Sequence, residues 1–407
     1  MSTEFDIAII GGGNAGLTLA AQLAAQDNPP STVVIEPQTV QQRDCSWGLW
    51  ALDQQAEQLA HSTKGRWRRW QLVDETRRVV HSSNQYNYLS LSSADYLLDR
   101  AAQLCEPVSL IEDSVKALHP QQSETIIETE QGRYSAKTVY DSRPPKIGYS
   151  TLRQHFLGWQ ITTKEPIKDP DMATLMDFRV DQSRGLHFIY ALPFSDHHLL
   201  IESTLISGRM ETQDWYRDAI KGWLRDNNIE IGEFLCEEMG VIPMDTIETD
   251  PDIAASPMSS ESSESSESSE SLGPQPLIAT IGAASGAVRR SSGYAFQHIQ
   301  QQISQLAAGI AQGNMAVPTP ISSRLTAMDS IFNGVLLSRP DLAVSLYMDM
   351  AKALNGDEFA RFMLGQATTG DWLRVIAAMP KLPFLKETVK QSAKQVSKQL
   401  LGQHKSA

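Results

Sequence analysis

The stretch FDIAIIGGGNAGLTLAAQLAA, residues 5–25, combines a short apolar run, a glycine-rich turn and a helical pattern. Residues 5–10 are rich in isoleucine, as in a strand buried in a parallel sheet. After Gly16, apolar residues recur at helical spacing, and a second apolar run, residues 32–35, ends in Glu36. The sequence therefore predicts a β-turn-α-β unit at the start of an α/β fold with a Rossmann-like domain.

The glycine spacing in this unit is typical of a dinucleotide-binding turn. The first glycine makes a tight turn, the second lets the backbone approach a pyrophosphate, and the third lets the helix pack close to the strand. The free N–H groups at the start of the helix then point at the phosphates. Glu36 stands where a carboxylate binds the adenosine ribose. The candidate cofactor-binding residues of this unit are Gly11, Gly13, Asn14, Ala15, Gly16 and Glu36.

The expected dinucleotide is FAD, because the motif opens the chain and a long, interrupted remainder follows. The carboxylate of Glu36 argues against a 2′-phosphate, and the alternative is a glycine-rich turn with a structural role alone. Three later residues extend the predicted site. Asp141 ends a predicted strand, residues 138–141, and Gly282 and Gly286 belong to a small-residue run that precedes a helix.

Composition and charge limit the possible functions. The chain has 407 residues, which favours two domains, and its formal net charge of −13 argues against nucleic acid as a partner. Three scattered cysteines indicate neither a disulfide framework nor a metal site, and a reducing cytoplasm fits them. There is no signal-peptide pattern, and no apolar run reaches the roughly 18 residues of a membrane span. We expect a soluble or peripheral protein.

Four regions follow from the patterns along the chain. Residues 1–150 and 275–320 are expected to form one discontinuous FAD-binding domain, and residues 151–245 an antiparallel β-sheet substrate domain. Residues 251–274 repeat glutamate between serines, and we expect a disordered insertion, with a phosphorylated tether as the alternative. Residues 321–407 are expected to be mostly helical.

The last predicted helix is basic and amphipathic. Lysines recur every four residues along one face, and apolar side chains form another. On an acidic protein this pattern indicates contact with an anionic membrane surface, although an ordinary solvated helix has the same pattern. The residues that carry the pattern are Lys386, Lys390, Lys394 and Lys398, with Val389, Ala393, Val396 and Leu400.

Ordered motifs along almost the whole chain resemble one family. After the glycine turn come SWGLW (46–50), DSRPP (141–145), MDFR (176–179), YALP (190–193), LIEST (200–204), GVIPM (240–244), GAASG (282–286), SSGY (291–294), GDWL (370–373) and PKLPFL (380–385). In this order they resemble the FAD-dependent lycopene cyclases of bacterial and plant carotenoid pathways. Only the serine-glutamate repeat lies outside the resemblance.

The resemblance implies a flavoprotein that is peripheral on the cytoplasmic, inner face of the cell membrane. It would cyclise the linear ends of lycopene, or of a similar apolar isoprenoid, into ionone rings without net redox change. The family requires reduced FAD, and NAD(P)H is a candidate electron source. An acid kept protonated in an apolar pocket can deliver the proton that starts the ring closure, and water must be excluded. The implied proton donor is Glu202, with Tyr190 and Asp177 lining or tuning the pocket.

One position departs from the family pattern. The family places two adjacent acids before a threonine, whereas here Glu202 is followed by Ser203. Side chains alternate along a strand, so Glu202 would share a face with Leu200 and Thr204 while Ser203 points the other way. The second acid would then have a supporting role behind the sheet. Alternatively, a bulge brings both positions into the cavity, or Glu202 is an edge-strand charge.

Three other interpretations concern function. The first is a related flavoprotein that oxidises or reduces another apolar isoprenoid or aromatic substrate, and the second is a flavin- or carotenoid-binding protein without catalysis. The third, a metal site at His197 and His198, is disfavoured because neighbouring side chains on a strand point apart and no third ligand follows. We expect no metal.

Overall fold

The computed structural model describes residues 4–144, 152–244 and 276–403, the side chains being described up to residue 392. In chain order the strands are β1 (Glu4–Ile10), β2 (Thr32–Glu36), β3 (Ser46–Leu52), β4 (Thr63–Trp67), β5 (Arg69–Val73), β6 (Arg78–Ser82), β7 (Tyr86–Ser92), β8 (Val108–Glu112), β9 (Val115–Pro120), β10 (Thr125–Thr129), β11 (Arg133–Asp141), β12 (Arg153–Thr163), β13 (Met172–Asp177), β14 (Leu186–Pro193), β15 (His198–Ser207), β16 (Ile231–Pro243) and β17 (Leu277–Thr280). The helices are α1 (Asn14–Ala24), α2 (Asp53–Gln58), α3 (Ser93–Ala102), α4 (Gln213–Asp226), α5 (Phe296–Ile310), α6 (Ser323–Ser338), α7 (Ala343–Ala353), α8 (Gly356–Met363), α9 (Thr369–Ala378) and α10 (Lys381–Gln403).

The first sheet contains the predicted β-turn-α-β unit at its centre. Its strand order is β8-β2-β1-β11-β10-β9, and β1, β2, β8 and β11 run parallel. β10 pairs antiparallel with the first half of β11, and β17 pairs parallel with the second half. The carboxyl ends of β1, β2, β11 and β17 therefore meet at one edge, where ligands of open α/β sheets bind.

The second sheet is wider than the sequence-based division of the chain predicts. Its order is β16-β12-β15-β14-β13-β5-β6. β5 and β6 come from residues 69–82, which the sequence analysis assigned to the FAD-binding domain, and β5 runs parallel to β13. A third, small sheet has the order β3-β7-β4. Strands β13, β14 and β15 and helix α4 lie within residues 151–245, the predicted substrate domain.

Aromatic packing joins the second sheet to the small sheet and the C-terminal helices. Trp50 of β3 lies with its ring centroid 4.6 Å from that of Trp70 in β5 and 5.9 Å from that of Phe359 in α8. Both tryptophans are fully buried. A single apolar cluster extends from these residues through β13–β15 to helices α6–α9. The helical C-terminal region thus packs onto the second sheet, as burial of the large aromatic surfaces favours.

Two predicted features lie outside the described residues. They are the serine-glutamate insertion, residues 251–274, and those side chains of the pattern in the last predicted helix that follow residue 392, namely Ala393, Lys394, Val396, Lys398 and Leu400. Among the described side chains of α10, Val389 is 70% exposed, although the sequence analysis placed it on an apolar face. Within the described part of the chain, no helix is both long and apolar enough to cross a bilayer.

Candidate active site

The β1–α1 turn has the strain and close contacts that its glycines predict. Gly11 has a φ of +94°, in the left-handed region that disfavours side chains. At Gly16, an added Cβ would lie 2.0 Å from the carbonyl oxygen of Gly11, so a side chain there would force the helix away from the turn. The Ser142 hydroxyl, which the sequence analysis did not single out, donates to the carbonyls of Ile10 and Gly11 at 2.9 Å each.

Glu36 lies at the carboxyl end of β2, beside this turn. Its Oε2 accepts a hydrogen bond from the Gly12 N–H at 2.7 Å, and Arg43 Nη1 lies 3.5 Å from the same oxygen. The carboxylate is thus fixed next to the glycine turn, as expected for a ribose-binding acid.

The amino end of α1 faces a cavity of about 490 Å³. Its N-cap is Gly13, which supplies no side chain to bind the first N–H groups of the helix. Gly13, Asn14 and Ala15 all line the cavity. Donors of this kind at a helix N-terminus bind phosphate oxygens.

The β17 segment brings a second glycine turn to the same place. Gly282 and Gly286 have φ values of +68° and +85°. An added Cβ at Gly282 would lie 2.7 Å from the Cβ of Ala15, so the two turns are in contact, and Ala283 lines the cavity. An added Cβ at Gly286 would meet no atom within 4 Å. The contact between the two turns is consistent with a dinucleotide site, and the cofactor role of the residues on β1, β2 and β17 stays a prediction.

Asp141 does not line the cavity, and neither do five of the other predicted cofactor residues, Gly11, Gly16, Glu36, Gly282 and Gly286. The Asp141 carboxylate binds the Arg143 guanidinium, with Arg143 Nε 3.0 Å from Oδ1. The Asp141 side chain therefore fixes the chain after β11. The side chain is bound to Arg143 and does not provide the expected contact with the cofactor.

The opposite wall of the cavity is the second sheet, and it carries Glu202. β15 pairs with β12 and β14 without a register shift from residue 199 to residue 206, so there is no bulge at this acid. Glu202 and Thr204 line the cavity, and Glu202 is 8% exposed. Burial raises the pKa of Glu202 well above its ordinary value, and the nearby carboxylate of Glu238 raises it further. Both effects favour the protonated form of the Glu202 carboxyl.

Ser203 lies on the other side of the sheet. It is fully buried, and its Oγ lies 2.9 Å from Nε2 of His187. The predicted alternation is therefore present, and position 203 does not face the cavity. An acid at this position would lie behind the sheet, next to His187.

Tyr190 is the cross-strand neighbour of Glu202 and also lines the cavity. Its hydroxyl lies 2.8 Å from that of Tyr88, and the Tyr294 hydroxyl donates to that of Tyr88 at 3.3 Å. Burial raises the pKa of all three phenols well above 10, so they remain neutral. Sequence reasoning found Tyr190 but missed Tyr88 and Tyr294, which come from distant parts of the chain.

The structure does not bring Asp177 to this cavity. Its carboxylate accepts hydrogen bonds from Arg179 Nε at 2.9 Å and from the indole N–H of Trp223 in α4 at 2.8 Å. The register between β13 and β14 shifts beside it, and Leu175 and Met176 line the cavity instead. The expectation that Asp177 tunes the pocket is therefore not supported, because both its oxygens are bound on the far side of the sheet.

A second, apolar cavity of about 410 Å³ adjoins the first one. Ser292, Tyr347, Met350 and Met363 contribute to the walls of both. Its other walls come from α6, α9 and the start of α10. In the described part of the chain, no cluster of acids, histidines and cysteines could hold a metal ion, and His197 binds the backbone carbonyl of Thr163 through Nδ1.

Two solved structures share this architecture over nearly the whole chain. A geranylgeranyl bacteriochlorophyll reductase-like protein from Thermoplasma acidophilum is 13% identical, with 95% of this chain and 99% of that chain covered and a TM-score of 0.59. A flavoprotein/dehydrogenase from Cytophaga hutchinsonii is 14% identical, with 96% and 100% covered and a TM-score of 0.57. The fold is that of the Rossmann-type flavoprotein enzymes, as the sequence predicts.

The family itself is shown by sequence. The family described as lycopene cyclase protein matches residues 6–388, and the chain belongs to it. The lycopene beta-cyclase of Pantoea ananas is 22% identical over 401 residues, which are 95% of this chain and 97% of that protein. The resemblance inferred from the ordered motifs is confirmed.

Proposed function

We propose that this protein is a cyclase that closes the linear ends of lycopene, or of a closely similar polyene, by acid catalysis. The observation that carries the proposal is the position of Glu202. It is a buried carboxylic acid in an apolar wall, and it faces the same cavity as the two glycine turns. A buried carboxylic acid with a raised pKa is a candidate proton donor, and acid-initiated ring closure needs such a donor.

During the proposed reaction the substrate gains one proton and later loses one. The Glu202 carboxyl adds its proton to the terminal alkene, which leaves a tertiary carbocation. A carbon–carbon bond then closes the ring and moves the positive charge to a ring carbon, and loss of a proton from a neighbouring carbon forms the ring alkene. The substrate and product are isomers, so no electrons are gained or lost. Glu202 is the acid in this scheme, and the neutral hydroxyl of Tyr190 lies beside it.

Reduced FAD is the proposed cofactor. The β1–α1 turn with Gly13, Asn14 and Ala15 would hold its phosphates, Glu36 its ribose, and the Gly282 turn its other edge. When bound, the reduced flavin supplies an electron-rich ring that stabilises nearby positive charge. NAD(P)H is the proposed source of its electrons.

The apolar walls explain why the substrate is proposed to be a long polyene. The two adjoining cavities together offer about 900 Å³, from 490 Å³ and 410 Å³, and their lining is mostly apolar. Such walls exclude water, which would otherwise trap the carbocation as an alcohol. The two cavities also have room for an end group of the polyene in the first and the rest of its chain in the second.

Contact with the inner surface of the cell membrane is part of the proposal. Ile376 and Leu385 line the second cavity and are also 49% and 60% exposed. Leu373, Leu382 and Val389 nearby are 62%, 72% and 70% exposed. Together with Lys386 and Lys390, these side chains form a surface suited to an anionic bilayer, from which an apolar substrate could enter the cavity.

Expression in lycopene-accumulating cells tests the proposed function. We expect cyclic carotenes with the wild-type chain and unchanged lycopene with Glu202→Gln, which preserves the size of the side chain. Flavin content and melting temperature of both purified proteins serve as controls for folding. Lycopene left intact by the wild type, where a known cyclase converts it, would remove the proposal.

The rival interpretation is a redox enzyme, in which Ser203 would mark a changed active site. Ser203 lies behind the sheet, with its Oγ 2.9 Å from Nε2 of His187, and this favours the cyclase over the redox enzyme. Substrate-dependent consumption of NAD(P)H in the purified protein, without cyclic product, would revive it.

A further inference from the structure

A second carboxyl lies close to Glu202, on a strand distant in sequence. β15 and β16 flank β12 on either side, and Gly158 of β12 is the register partner of both Glu202 and Glu238. The two acids therefore stand on the same face of the sheet, with one strand between them. Both line the cavity.

The glycine between the two acids lets them approach one another. A Cβ added at Gly158 would lie 2.7 Å from Cγ of Glu202 and 3.4 Å from Cγ of Glu238. Both side chains therefore lean over the glycine into space that any other residue would fill. Any larger residue at 158 would push them apart.

The carboxyl of Glu238 is only partly satisfied. Its Oε2 accepts a hydrogen bond from the backbone N–H of Ser46 at 2.8 Å. Its Oε1 is buried and has no hydrogen-bond partner among the described residues. A buried acceptor without a donor is costly, and such groups are concentrated at functional sites.

We propose that Glu238 is a positioning residue for Glu202, and that the two carboxyls form one acid pair in which Glu238 keeps the proton on Glu202. The proposal rests on the proposed cyclase function. The second acid of this cavity then comes from β16, whereas position 203 on β15 lies behind the sheet.

The charges around the pair are consistent with this arrangement. Burial raises the pKa of Glu238, while the Ser46 N–H and the charge of Lys64 oppose the rise. Lys64 is itself paired with Asp44 at 3.4 Å, which weakens its effect. The other titratable groups that face the pair are Tyr190 on β14, Tyr88 on β7, Tyr294 before α5, Cys45 before β3 and Cys236 on β16.

One proton shared by two carboxyls suits a reaction in which the enzyme first donates a proton to the substrate and then accepts one from it. When Glu202 protonates the alkene, two negative carboxylates remain side by side in an apolar wall. Their repulsion makes the pair a strong base, which takes up the proton that leaves the ring carbon. The pair then holds the same number of protons as before, so the cycle balances.

Infrared titration of the purified protein tests the pair without any need for turnover. The C=O stretch of a protonated carboxyl is followed against pH in the wild type, Glu202→Gln and Glu238→Gln. We expect the wild-type band that is missing from Glu202→Gln to titrate at a pH lower by about one unit in Glu238→Gln, because a neighbouring negative charge is gone. A midpoint unchanged in Glu238→Gln would overturn the proposal.

Two further variants complete the design. Glu237→Gln is the matched control, since Glu237 precedes Glu238 on β16 but binds Arg217 and the Trp159 indole instead of facing the cavity; we expect its band to titrate as in the wild type. Glu238→Asp retains the negative charge and should restore at least part of the midpoint. A midpoint that falls equally in Glu237→Gln, or that Glu238→Asp leaves as low as Glu238→Gln, would count against a specific pair.

Activity is measured in a separate experiment, so that the cyclase function and the acid pair can be rejected independently of each other. If the wild type cyclises lycopene, we expect Glu238→Gln to lose activity at a lower pH than the wild type on the alkaline side of its profile. An active wild type with the same alkaline limb in Glu238→Gln would reject the pair and leave the cyclase proposal intact. An inactive wild type would reject the cyclase proposal, and the infrared titration would still decide on the pair.

Discussion

The Oγ of Ser203 lies 2.9 Å from Nε2 of His187, on the opposite side of the sheet from the carboxyl of its neighbour Glu202. His187 Nδ1 faces the carbonyl of Asp181 at 3.0 Å and must donate to it. In the neutral imidazole, Nε2 is then the acceptor, and the Ser203 hydroxyl donates. The residue at which the chain departs from its family thus belongs to a buried structural contact.

Replacement of Ser203 by alanine tests this assignment. We expect a loss of about 1–2 kcal/mol in the free energy of unfolding, because His187 Nε2 is left buried without a donor. Cyclic carotene formation per folded protein should remain as in the wild type. Urea titration measures the first quantity, and a tenfold loss of turnover in well-folded protein would contradict the structural role.

Asp177 provides a second test of a structural assignment. Asp177→Asn removes the charge that binds Arg179 and weakens the bond from Trp223. We expect a stability loss of about 2 kcal/mol, since the carboxyl is buried and hydrogen-bonded while the partner Arg179 is 44% exposed. Thermal unfolding gives the stability. Turnover that falls far more than the folded fraction would return Asp177 to the active site.

The glycine turn makes a prediction for cofactor content. Gly16→Ala should abolish most flavin binding, because its Cβ would lie 2.0 Å from the Gly11 carbonyl and the turn must open. Gly132→Ala is the matched control, as a Cβ there meets nothing within 4 Å. The ratio of flavin to protein absorbance after purification measures the effect. Full flavin occupancy in Gly16→Ala would show that the cofactor does not depend on this turn.

His187 predicts a pH dependence of stability. Burial lowers its pKa to about 4 from the ordinary 6.5. The folded protein therefore binds this proton less readily than the unfolded chain, so the stability contributed by neutral His187 is present above pH 6.5 and is lost as the pH falls towards 4. The full effect is on the order of 3 kcal/mol.

A His187→Gln variant isolates this contribution. Its free energy of unfolding should fall less steeply than that of the wild type between pH 6.5 and pH 4, when both are measured by urea titration at several pH values. Equal slopes would show that another group dominates acid unfolding.

The family resemblance singled out Glu202, and the strand pattern predicted its side of the sheet, but neither placed its partners. The period of two along β15 correctly separated Glu202 from Ser203, because backbone geometry alone determines which side of a strand a residue occupies. The same pattern could not show that Asp177 is bound by Trp223 of α4, since that contact depends on how a helix packs on the sheet.

The residues that sequence reasoning missed are joined by long-range strand pairing. Glu238 comes next to Glu202 only because β12 lies between β15 and β16, and Tyr88 comes from a separate small sheet. Nothing near residue 238 in the sequence indicates this neighbourhood. Strand order is a property of the whole chain, so a reading of short windows cannot recover it.

Gly158 controls how closely Glu202 and Glu238 approach each other, although it has no side chain of its own. The space above its Cα is where the stems of both glutamates converge. Even one extra methyl group at this position would push the two glutamate side chains apart without changing either carboxyl chemically. The proposed acid chemistry therefore depends on the absence of a side chain at position 158 as well as on the two carboxyls.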